Sequence, residues 1–465
     1  MRLCHLAKHD RKWECQALST DRVPRRLLGF VRQKWDLVLF CVGLLGLAFG
    51  FGVAVERYRF FPHDAIENAS AALQDWRVNW RHYLQIRSKY LIPTSRTEGG
   101  VTRYDRAAAW PGYTFLTLYR DNRFGAMLID MEGRVLHSWT IAFSEAFPDQ
   151  HHLDVTPPDY DVVLHGAALL PDGDVILNME GEGAVRLDRC SHIVWRLPVT
   201  THHSVEYLPN GDTLIAVDRM HHAADPRYPR LAPGPEGHFM ENLVVRLRPD
   251  GSVAQEKSVL DILYESGWAA LLLTDENANA RTAQPTHMND IEVLPADMAA
   301  AFSLFRAGDI MLSLRNINTI LVVDPQTWRI KWTMTGPFLH QHDPDFMPNG
   351  HILLLDNRMT GGTPRLGYSR ILEIDPATRQ IVWSYQGTDA EPFYTDIRGM
   401  EQLLPNGNVL VVEAQRGRVF EVARGSPNRI VWEYVNLVRD GFTGVVTGAE
   451  RVAPERLTFL DAKCG

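Results

Sequence analysis

Two phrases alternate along this chain and leave little freedom in what it can fold into. The first is a strand, a tight turn and a strand that usually ends on Trp, at residues 126–139, 184–195, 243–257 (without the Trp), 319–332, 370–383 and 419–432. The second is a strand, the turn Leu-Pro-Asp/Asn-Gly and another strand. It occupies 165–177, 203–215, 289–314 with an insertion, 342–355 and 399–412, with a degenerate sixth copy at 448–460. Asn-Gly and Asp-Gly suit hairpin turns, so each pair of phrases makes a four-stranded antiparallel unit of about 50 residues. Six units predict an all-β fold, a six-bladed β-propeller over residues 112–465. The outer pair at 126–139 has no preceding turn phrase and the copy at 448–460 has no outer pair after it, so these two segments are expected to share one blade and close the ring.

The leader is of another kind. Residues 1–36 carry nine Lys/Arg against four acids; removing that excess of five from a net charge of −8 leaves −13 on the remainder. An acidic body argues against nucleic-acid binding. Residues 37–55 form a 19-residue stretch without a charge, long enough for a transmembrane helix. Its flanking charges orient the N-terminus to the cytoplasm, and without a small-x-small cleavage site it reads as an uncleaved signal anchor. The expectation is a basic cytoplasmic segment (1–36), a signal-anchor helix (37–55), an amphipathic helix and linker (56–111), and a propeller in the periplasm or extracellular space. Ile66, Ala69, Leu73, Trp76, Trp80 and Tyr83 mark the helix seam, which packs on the main domain, lies near the membrane, or joins a homodimer. Of five cysteines only Cys190 and Cys464 would reach the oxidising side, where they could pair.

In a propeller the strand that opens each blade lines the central channel. Counting six back from each turn proline gives His165, His203, Asn289, His342, Gly399 and Gly448. Three of six are histidine in a chain with only 18, so an imidazole-rich funnel is expected. His287 lies nearby with the same side-chain parity, and Asp343 and Asp290 flank the run; His202, His221, His222 and His351 read as rim or loop residues. Arg315, Arg358, Arg370 and Arg398 follow or adjoin the inner strands and suit an anion such as sulfate or phosphate. The insertions 218–241 and 258–286 are expected to form a lid or rim.

The ordered set THMNDIEVLP (286–295), GDIMLSLRNINTILVVDPQTWRIKW (308–332), QHDPDFMPNGHILLLDNR (341–358) and YSRILEIDPATRQIVW (368–383) resembles the arylsulfotransferase family. The resemblance implies a propeller that needs no cofactor and moves a sulfuryl group from an aromatic sulfate ester to a phenol through a sulfohistidine. It implies catalytic roles for His287, His342 and Arg358 or Arg370. His165, His203, Asn289, Asp343, Arg315 and Arg398 are then expected to bind substrate, with no metal ligand assigned. One departure stands out: the late blade reads TDIRGMEQLLPNGN, with no histidine from there to Gly465. Two alternatives therefore stay open, a non-catalytic binding propeller and a metal site on His165, His203, His287 and His342, with a quinone-dependent dehydrogenase more distant.

Overall fold

The computed structural model describes residues 3–6, 13–16, 25–58, 60–153, 155–223, 225–228, 239–273, 284–360, 364–461 and 464. Much of the basic leader and the middles of both expected lid insertions (229–238 and 274–283) lie outside the described residues. Two compact units divide at Arg77/Val78. The first holds a short hairpin, Leu3–Leu6 with Trp13–Gln16, and the helix Arg25–Tyr58. Within that helix Trp35–Tyr58 is long and apolar enough to cross a membrane, and its large apolar side chains are exposed. The amphipathic helix forms over His63–Tyr83, with Ile66, Leu73, Trp76 and Tyr83 exposed.

The second unit is the propeller. Six antiparallel sheets pack side by side, each starting from an inner strand: Val446–Val452 (blade 1), Leu164–Leu169 (blade 2), Thr201–Tyr207 (blade 3), Met288–Val293 (blade 4), His342–Phe346 (blade 5) and Glu401–Leu403 (blade 6). Neighbouring blades touch through their inner and second strands around a complete ring.

Strands here are apolar on both faces because each sheet is sandwiched between two others. In Ile352–Asp356, Ile352 and Leu354 join the cluster shared with blade 4, and Leu353 and Leu355 the cluster shared with blade 6. Six apolar clusters result, one per blade junction. The Trp residues that end the outer phrase lock neighbours together. Trp139, Trp332 and Trp432 each donate Nε1–H at 3.0 Å to a turn carbonyl of the next blade, from Gly173, Pro376 and Met131.

The turn phrase folds differently from a two-residue Asn-Gly hairpin. Pro209 sets the bend, only Gly211 is left-handed (φ 88°), and its N–H returns to Leu208 O at 2.9 Å. That is a type I turn followed by a left-handed glycine.

Ring closure follows the expectation in outline and corrects it in detail. Blade 1 does join the ends of the chain, but 448–460 supplies one strand, not two. The second strand is Tyr113–Arg120, paired Val446↔Leu118 to Val452↔Tyr113, and the residues after Val452 form short 3-10 turns. Two short strands lie in the stretch expected to be linker. Gly100–Tyr104 adds a fifth strand to blade 6, and Leu91–Pro93 pairs with Phe442–Gly444. Cys190 and Cys464 form a disulfide across 274 residues of sequence.

Candidate functional site

The inner strands enclose a cavity of about 590 Å³, lined by His165, His203, Asn289, His342, Asp343, Gly399 and Gly448 among others. The six-back register therefore holds. Side-chain parity does not. Register slips interrupt five inner strands at the same level, Leu164/Ala167, His202/Val205, Met288/Asp290, His342/Asp345 and Val446/Gly448. A bulge turns consecutive residues toward one side, and here His203 with Ser204, Asn289 with Asp290, and His342 with Asp343 all line the cavity. His203 (φ 43°) and Asp343 (φ 53°) carry the left-handed backbone this requires, strain of the kind that collects at functional sites. At Gly166 a Cβ would sit 1.9 Å from His203 O, so only glycine lets blades 2 and 3 approach.

Four imidazoles and a carboxylate meet at this tier. His165 Nδ1 lies 3.2 Å from Glu180 Oε2, His165 Nε2 3.1 Å from His203 Nδ1, and His203 Nε2 3.1 Å from His287 Nε2. His287 Nδ1 faces Gln284 Oε1 at 2.5 Å. Burial pushes His165, His203 and His287 below the ordinary histidine range, and the neighbouring imidazoles and arginines add to it. Burial would raise Glu180, but His165 and Arg398 outweigh it and hold the carboxyl well below its usual range.

His342 is fixed by a separate network. Asn357 donates its amide to the carbonyls of Thr395 (2.9 Å) and Arg398 (2.8 Å), so its Oδ1 accepts from His342 Nδ1 at 2.7 Å. The proton is therefore on Nδ1 and the lone pair on Nε2. Burial, then the Arg315 charge, pushes this histidine down to about 3, which keeps it neutral at physiological pH.

The arginines divide. Arg398 pairs with Glu180 at 3.2 Å, and its buried Nε has no hydrogen-bond partner among the described residues. Arg315 reaches Met359 Sδ and depresses His287, His340 and His342. Arg370 is held by Asp356 at 2.5 and 2.8 Å, and Arg358 lies 3.6 Å from the same carboxylate. None of the four is among the residues that line the cavity. Arg358 follows the second strand of blade 5, Ile352–Asp356, and Arg370 opens the third, Arg370–Asp375, opposite Asp356, so the sulfate-holding role expected for them meets a structural ion pair.

His202, read as a rim residue, is buried 6 % exposed and accepts a place in the cluster, with Nδ1 3.0 Å from Met288 O. His221 and His351 do sit off the channel, paired to Glu241 and Glu373.

A tier of carboxyls extends well beyond the Asp290 and Asp343 named from the sequence. Glu206, Asp290, Glu292, Asp343, Asp345, Glu401 and Glu450 all line the cavity. Burial raises every one; Glu206 reaches about 8 and Asp290 about 7. Counting three back from the turn prolines, instead of six, would have found Glu206, Glu292 and Asp345 on three successive blades.

The family model described as Arylsulfotransferase (ASST) matches residues 166–437, more than half of the chain. The chain belongs to the arylsulfotransferase family. Sulfuryl transfer is accordingly the activity class of this arylsulfotransferase-family domain. No curated protein matches. Among solved structures, a Bacteroides caccae protein of unknown function is 12% identical, with TM-score 0.44 over 73% of this chain and 98% of that one. A virginiamycin B lyase from Staphylococcus aureus is 10% identical, with TM-score 0.40 over 74% of this chain and 87% of its own.

Proposed function

We propose that the channel transfers a sulfuryl group from an aryl sulfate ester to a phenolic acceptor, with His342 as the group that carries it. The observation that supports this most is the lone pair of His342 Nε2, fixed by Asn357 and kept unprotonated, in the same tier as the unpartnered Nε–H of Arg398. A neutral imidazole attacks sulfur, the S–O bond to the aryl group breaks, and the leaving phenolate takes a proton. Asp290, raised to about 7, is poised to give that proton and later to take one from the acceptor phenol. The acceptor oxygen then attacks sulfur, the S–N bond breaks and His342 returns neutral. Arg398 and Arg315 stabilise charge on the transferring oxygens. Blade 6, which has Gly399 and not histidine in the register, contributes to this scheme through Arg398.

In the same reading residues 37–55 anchor the chain in a membrane, with the N-terminus cytoplasmic and the propeller, 112–465, on the far side. The test uses purified protein with p-nitrophenyl sulfate, with and without phenol. Phenol-dependent p-nitrophenolate release, with one SO3 group added to the intact mass and lost in His342→Ala, is the expected result. Folded protein that gives neither release nor adduct across several aryl sulfates would overturn the proposal in favour of a binding propeller.

A further inference from the structure

The histidine cluster beside His342 has a proton count that does not close. Met288 O can only accept, so His202 carries its proton on Nδ1. Gln284 Oε1 accepts from His287 Nδ1. Glu180, paired to Arg398, accepts from His165 Nδ1. His165 Nε2 is then a lone pair and accepts from His203 Nδ1. Every Nδ1 proton is spoken for, and His203 Nε2 and His287 Nε2 face each other at 3.1 Å with two lone pairs and no hydrogen between them.

From this geometry we infer a divalent metal site, of zinc type, formed by Nε2 of His202, His203 and His287, which already cluster, with Glu180, adjacent among them only to His203, moving in as the fourth ligand. The ligand atoms of the three histidines lie within 4.8 Å of one another, as do those of His165, Glu180 and His203. A tetrahedral site with Zn–N of about 2.0 to 2.1 Å has neighbouring ligand atoms about 3.3 Å apart. The His203–His287 separation of 3.1 Å already matches that edge, and Glu180 Oε1 stands 3.8 Å from His203 Nε2. Each ligand also has the outer partner that fixes its tautomer: Met288 O for His202, His165 for His203, Gln284 for His287, and Arg398 on the other oxygen of Glu180. Such outer partners orient metal-binding imidazoles and raise their basicity. Three imidazoles and a carboxylate suit zinc, copper or nickel far better than magnesium or calcium.

Two rivals close the count without metal: the Gln284 amide turned over, giving a continuous chain of protons from Gln284 to Glu180, or a second proton on His165 held by Glu180, which leaves His203 to donate from Nε2 to His287. Both are separated from the metal site by binding alone. Full-length protein in detergent is stripped with a chelator and titrated with zinc against a chromophoric indicator. The expected result is uptake of about one equivalent, weakened roughly 100-fold or more in both His202→Ala and His287→Ala and unchanged in Glu401→Gln, whose carboxyl lines the cavity outside the cluster. Zinc should also raise the melting temperature of the parent and not of the two histidine variants, which tells a lost site from a lost fold. Melting that matches the parent without stoichiometric uptake, or uptake that persists undiminished in both variants, overturns the site and leaves one of the two proton arrangements. No sulfate ester enters the measurement, so its result stands whatever the transfer assay gives.

Discussion

Replacing Asp290 by Asn tests whether the channel carboxyls are held uncharged. Asp290 is buried, accepts from Ser204 Oγ at 3.0 Å, and is raised by burial from 3.8 to about 7. The folded chain therefore keeps this proton between about pH 4 and 7 while the unfolded chain has lost it. Stability is fully present below the unfolded value and falls as pH rises through the folded one. Each unit is worth about 1.36 kcal/mol, so the native group costs about 4 kcal/mol at pH 8 and less than about half of that at pH 5. Asn has the same shape and no charge to form, and removes that cost. With an unfolding entropy of about 2.1 cal/mol/K per residue over roughly 350 residues, the variant should melt about 6 °C higher at pH 8 and about 2 °C higher at pH 5. Tryptophan fluorescence melts of the full chain in detergent at both pH values make the comparison. Equal shifts at both pH values, or a lower melting point at pH 8, would refute the idea that burial keeps Asp290 protonated.

Three further outcomes are expected. Asn357→Ala removes the principal acceptor for His342 Nδ1–H; turnover should fall roughly 100-fold or more with KM little changed, and imidazole nitrogen NMR shifts should report a mixed tautomer where the parent shows one. Arg451 and Glu421 form a fully buried ion pair at 3.1 Å between blades 1 and 6. Arg451→Met should destabilise by about 3 to 5 kcal/mol, with Glu421→Gln in the same chain recovering part of the loss in thermal melts. Reduction of Cys190–Cys464, which spans 274 residues, should remove up to about 5 kcal/mol; a melting point sensitive to dithiothreitol in the parent and insensitive in Cys464→Ser is the check.

The fold was legible because each blade repeats the same local chemistry. Apolar strands such as 352–355 need sheets on both faces, and a proline turn phrase, Leu-Pro-Asn/Asp-Gly or a variant of it, follows each inner strand, so counting phrases counts blades. The second strand of blade 1 escaped because Tyr113–Arg120 pairs with residues more than 300 positions away and carries no turn phrase. The histidine tier was legible from a single register position. Parity pointed His287 toward the histidine cluster it joins but left His202 on the rim, because the bulges that build the site break the two-residue period on which parity depends. Glu180 lies just after the second strand of blade 2, at no repeated position, and the hairpin pairing Leu164↔Met179 brings it to His165. Arg358 and Arg370 looked available because sequence shows no partner for them; Asp356, fully buried between them, is that partner.

Closure by the segment 446–452 has a consequence for the order in which the molecule becomes competent. Synthesis delivers the N-terminal strands first, and Tyr113–Arg120 waits for its inner partner until more than 300 residues have followed. Bringing such distant segments together is entropically slow. Until then blade 1 has an open edge, and the carboxyls of the channel stand in water, where they ionise and repel one another. The last strand thus does two jobs in one event: it seals the edge, and it dries the acidic tier so that the charges vanish. An unfinished ring presents an unpaired strand edge and a charged channel at the same time.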